Sequence, residues 1–122
     1  MDKAQTIQAF WSGFGWPAYD EGTVPDEATY PRITYNVVTD ELGNPQAMYA
    51  SLWDRGASWA SVTQKAGQIA EAIARLYPPA IAFDSGRVYI TKGTPFAQRM
   101  TDEDDMVRRI YINVTVEYFA AY

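Results

Sequence analysis

The chain has 122 residues, 48% of them hydrophobic and 15% aromatic, with a formal net charge of −5. That size and apolar content predict one compact domain over residues 1–122 with a single core. Cysteine and histidine are both absent, which excludes disulfide frameworks, Cys/His zinc sites and Ser-His-Asp or Cys-His nucleophilic centres. The acidic balance argues against wrapping nucleic acid, which needs a basic footprint. No apolar run approaches transmembrane length and the N-terminus lacks a signal-peptide pattern, so synthesis in the cytoplasm and no membrane partner are expected.

Asp2 to Phe14 reads as a short helix, because Ile7, Phe10, Trp11 and Phe14 recur at three- and four-residue spacing. Trp16 to Tyr30 reads as a long loop punctuated by Pro17, Gly22 and Pro25. Arg32 to Val38 alternates as a strand. Thr39 to Pro45 reads as a hairpin connection, and Gln46 to Asp54 is the second strand. At Asp54-Arg55-Gly56 the period of two stops, and an amphipathic helix follows. Its stripe is Val62, Ala66, Ile69, Ala70, Ile73, Leu76 and Tyr77, with Ser61 and Gln64 as a capping box and Pro78-Pro79 as the stop. Gly67 inside it predicts a close approach to a sheet, since glycine there costs about 1 kcal/mol relative to alanine.

After the apolar run Ala80 to Phe83 and the turn Asp84-Ser85-Gly86, Arg87 to Lys92 alternates as a third strand that Gly93-Thr94-Pro95 ends. Phe96 to Met100 is ambiguous. Met106 to Phe119 is the longest alternating run, with Ile110, Ile112, Val114, Val116 and Tyr118 on one face. The expected class is α+β: a mainly antiparallel four-stranded sheet, with the long helix and the short N-terminal helix on one face.

Candidate chemistry is sparse. Asp102, Glu103, Asp104 and Asp105 are the densest carboxylate cluster, but they lack the EF-hand spacing and glycine. A solvated turn, or pairing with arginines of another subunit, is the better account, with Arg99, Arg108 and Arg109 flanking it. Asp20, Glu21, Asp40, Glu41 and Asp54 offer no distinguished pair for glycoside hydrolysis. Phosphate-binding glycine loops are absent. No metal or cofactor is expected.

Several pieces occur in a characteristic order: AYDEGTVP after the first helix, YPRITY opening the first strand, ASLWDR closing the second, the helix SWASVTQKAGQIAEAIARL, and KGTPFAQRMTDEDDMVRRIYINVTVEY. With them the chain resembles the tail terminator (tail completion) proteins of long-tailed bacteriophages; small neck and minor capsid proteins share part of the pattern. The resemblance implies a non-catalytic virion protein of the tail or neck, assembled in the host cytoplasm. It implies a homo-oligomeric ring, commonly a hexamer, that caps the tail tube, stops its polymerisation and meets the head-side connector. DNA would pass through the lumen without specific binding. Ring and tube contacts are then expected around Tyr19 and Asp20, at the hairpin tip with Leu42 and Asn44, and along Phe96 to Asp105 with Arg99, extended to Arg108. About six copies at −5 would give a ring near −30, which repels phosphate.

Three rival readings remain. One is a head-side joining or head-completion protein. Another is a sugar-binding module that stacks ligands on Trp16, Tyr19, Trp53 and Trp59. The last is a carboxylate hydrolase.

Overall fold

A computed structural model describes residues 1–38, 44–76 and 80–120. In chain order it has helix α1 (Lys3–Ser12), strands β1 (Ala18–Asp20), β2 (Arg32–Tyr35) and β3 (Gln46–Arg55), helix α2 (Ala60–Arg75), and strands β4 (Ala80–Phe83), β5 (Gly86–Met100) and β6 (Val107–Ala120). The strands form one sheet in the order β1-β2-β3-β6-β5-β4. β1 pairs with β2 in parallel and the other pairings are antiparallel. The α+β class therefore holds, with six strands where the sequence pattern predicts four.

Both helices form for legible reasons. Asp2 accepts the Gln5 N–H at 2.8 Å and donates its own N–H to the Gln5 side chain at 3.0 Å, a capping box that starts α1. Ile7 and Trp11 are fully buried, and Phe10 and Phe14 pack against the same cluster. In α2 the buried residues are Val62, Ala66, Ile69 and Ile73, a stripe at helical spacing. The start of α2 differs from expectation. Its N-cap is Trp59, without a side-chain bond, and the Ser61 hydroxyl donates to the Asp54 carboxylate on β3 instead. α2 begins at Ala60, so Ser61 lies inside the helix past the capping position, and its hydroxyl proton goes to the charged acceptor. Gly67 is a second correction. It is exposed, and an added Cβ would meet nothing within 4 Å, because the sheet-facing stripe lies on the other side of the helix.

The sheet presents its alternate residues to these helices. Ile33, Met48, Leu52, Val88, Ile90, Ile112 and Val116 are buried with the two apolar stripes in one core. α2 packs on β3, β5 and β6, whereas α1 touches β1 and β4, which lie at opposite ends of the strand order. The sheet is therefore curled, with both helices on its concave side, as the one-face expectation requires.

Two strands and a continuation escape the periodicity. β1 has three residues and β4 four, too short for alternation to register. Because β1 runs parallel to β2, residues 21–31 are a crossover and not a simple loop. Glu21 accepts the Tyr49 hydroxyl at 3.1 Å, and the Ala28 carbonyl accepts from Arg32 at 3.1 Å. Tyr49 and Arg32 alternate with buried Met48 and Ile33, so the crossover runs over the face away from the helices.

Gly93-Thr94-Pro95 does not end the third strand. Lys92 pairs with Val114 and Ala97 with Ile112, so β5 bulges at residues 93–96 opposite Asn113 and resumes. Gly93 is required there, since a Cβ would stand 2.7 Å from Asn113 Nδ2 and 2.8 Å from its carbonyl oxygen. The hairpin connection at 39–43, Tyr77 and the Pro78-Pro79 stop lie outside the described residues.

Candidate functional site

Strand direction sorts the expected contact residues onto two ends of the sheet. Tyr19 and Asp20 lie where β1 and β2 finish, the end at which Asn44 precedes β3. Arg99, Asp102, Glu103, Asp104, Asp105 and Arg108 gather at the opposite end, where β5 turns into β6 beside the finish of β3. Phe96 sits between them in the β5 bulge, packed against the core. Leu42 lies outside the described residues.

The acidic turn is knitted together within its own chain. Asp104 forms an ion pair with Arg55, accepts the Met106 N–H at 2.9 Å, and donates its own N–H to Asp102 at 3.0 Å. The Arg55 guanidinium holds the Asp104 carboxyl below its usual range, and Asp104 in turn raises Arg55. Both side chains are well exposed, so the pair contributes little stability. Arg108 donates to the carbonyls of Asp105 at 2.6 Å and Ala57 at 3.2 Å. Trp59 lies under two guanidinium groups, Arg99 at 4.7 Å and Arg108 at 5.4 Å from its ring centroid. Of the turn's four carboxylates, Asp104 thus has its cation within the same chain, while Arg108 meets backbone carbonyls only. Among the described residues no cluster of three or more metal-ligating side chains occurs, and no helix is long and apolar enough to cross a membrane.

The face away from the helices carries an array that the sequence does not announce. Tyr49 and Tyr111 stack at 5.3 Å. Arg109 lies 4.5 Å from the Trp53 ring and donates to Ser51 at 3.0 Å, while Trp53 Nε1 donates to Thr34 at 2.8 Å. These partners come from β2, β3 and β6, so only the strand register brings them together. The Glu21 hydrogen bond, more than burial, raises the Tyr49 phenol. Burial raises Tyr35 and pushes Tyr118, inside the core, up to about 12.

Among the described residues the rival sites do not assemble. Tyr19 and Trp53 lie on the open face, whereas Trp16, against Lys65 of α2, and Trp59 lie on the helix side. Each of the three tryptophans already stacks on a cation of this chain. Among the candidate acids, Asp20 caps Gly22 N–H at 2.9 Å and Glu21 binds Tyr49. Asp54, at the far end of the sheet, binds Ser61. Asp40 and Glu41 lie outside the described residues.

Charge is distributed unevenly across the sheet. Residues 17–30 carry Asp20, Glu21, Asp26 and Glu27 and no Lys or Arg, whereas β5 carries Arg87, Lys92 and Arg99 and no acid. These segments flank opposite edges.

No family model matches the sequence, and no curated protein does either. Among solved structures, the chain is similar to one from the "Virion of native gene transfer agent (GTA) particle", with a TM-score of 0.61 and 17% identity. The correspondence covers 96% of this chain and 91% of that one. At this identity the likeness is one of fold, and it spans nearly the whole of both chains.

Proposed function

We propose that the protein is a non-catalytic structural component of a phage-like virion: a tail terminator that forms a ring at the head-proximal end of the tail tube. In this role it halts tube polymerisation and presents a surface to the head-side connector, with DNA passing through the lumen. The observation that carries the reading is the fold shared, along nearly its full length, with a chain of a gene transfer agent virion. The order of sequence pieces from AYDEGTVP to the terminal strand supports the finer placement.

Negative-stain microscopy of the protein mixed with tail tube protein, together with native mass spectrometry, tests the reading. Rings at tube ends are expected. Binding to head-side connector rings instead would move the protein across the joint, and a protein that stays monomeric with both partners would overturn the proposal.

A further inference from the structure

We infer that copies of this chain join through the two oppositely charged flanks of the sheet, the acidic crossover at 20–27 of one copy lying on the β5 edge of the next. The inference rests on the proposed ring and names the surfaces that would close it. β4 pairs only with Gly86 to Tyr89, so from Ile90 to Met100 the outer side of β5 has no strand neighbour among the described residues. Lys92 and Arg99 are exposed on this stretch. Lys92 opposes Val114 and has no ion-pair partner among the described residues, and Arg99 rests on Trp59 without one. At the other flank Asp26 and Glu27 are exposed and equally unpaired among the described residues.

The faces matter as much as the charges. Lys92 and Arg99 pair in register with Val114 and Ile110, whose side chains are buried beneath the helices, so both cations belong to the helix side of their edge. The crossover lies on the opposite face at the other edge. The two groups meet only when neighbouring sheets overlap like shingles, the open face of one copy over the helix side of the next. Such a contact uses two different patches, so it is heterologous and can close into a ring. Charge complementarity selects a second copy as the occupant. In the acidic turn at 102–105 Asp104 is already paired with Arg55, and the turn follows β5 beside Arg99, on the same flank as the cations and not on the flank opposite them.

Two charge-reversed proteins test this, D26K/E27K and K92E/R99E, with K92E alone as a version that leaves the Trp59 stack intact. Self-association is read by sedimentation velocity and native mass spectrometry, and folding by circular dichroism. Each reversed protein, K92E included, should self-associate at least about tenfold more weakly than the parent. An equimolar mixture of the two double variants should recover assembly, because each reversed flank then meets its opposite. Variants that assemble like the parent would overturn the inference and leave the ring standing. Variants that self-associate normally but lose tube binding would also overturn it, assigning the flanks to tube protein. A parent that never self-associates, alone or with tube protein, would overturn both readings.

Discussion

Tyr118 is fully buried on β6, and its hydroxyl has no hydrogen-bond partner among the described residues. An unpaired buried hydroxyl costs about 1–3 kcal/mol, so Tyr118→Phe is expected to leave the fold as stable or stabilise it by up to about 1 kcal/mol. The same burial raises the phenol from 10.0 to about 12. Between those values the native state keeps a proton that the unfolded chain releases, so stability is intact below pH 10 and falls as pH climbs toward 12. Urea midpoints measured across that window should fall less steeply in Tyr118→Phe than in the parent; identical slopes would show that burial of this phenol is not the cause. Tyr35 and Tyr49, also raised, leave a residual slope in the variant.

Gly93 acts at the same scale by a different mechanism. The nearest atoms to an added Cβ include the Asn113 carbonyl oxygen at 2.8 Å, a backbone atom that cannot swing away. Gly93→Ala should therefore lower stability by about 1–3 kcal/mol, as overpacking does. The urea midpoint should drop with the slope unchanged, and an unchanged midpoint would mean that the bulge relaxes freely.

Among the elements, those with sustained periodicity were legible in the sequence. The stripes of α1 and α2 and the alternation of β3 and β6 each repeat often enough to define a buried face. β1 and β4 were not, because three or four residues contain no more than two periods. The extension of β5 was hidden for another reason: Gly93-Thr94-Pro95 are the residues that break strands elsewhere, and here they build a bulge within one. At the candidate site, the acidic turn was visible as composition. Its partner Arg55 lies 49 residues away, and the Trp53–Arg109 contact depends on the same long-range register. Periodicity gives a face without saying what stands beside it. Gly67 shows the converse: a glycine inside a helix predicts a close contact, yet this one faces solvent. Gly67→Ala should accordingly stabilise α2 by about 0.5–1 kcal/mol. Ile69→Ala, two residues on and fully buried, should cost about 2–5 kcal/mol. Thermal melts of the pair separate the two sides of the helix; destabilisation by Gly67→Ala would mean that this position touches something in solution.

For the molecule as a whole, the decisive feature is that the last strand in sequence is central in space. β6 lies between β3 and β5 and pairs along its length with both. It supplies Ile110, Ile112, Val114, Val116 and Tyr118 to the core beneath both helices. Without it β3 and β5 have no shared neighbour, and the strand order separates into β1-β2-β3 and β5-β4. Each remnant would expose the apolar face that the helices need. A chain ending at Met106 is therefore expected to lack a cooperative urea transition and near-ultraviolet circular dichroism, even where α2 retains some helicity. A sharp transition in that truncated chain would show that the helices and β1-β2-β3 form a separable unit. Because β3 waits for a strand about 60 residues later, the contacts closing the core are non-local, and folding should be slow for the chain's size.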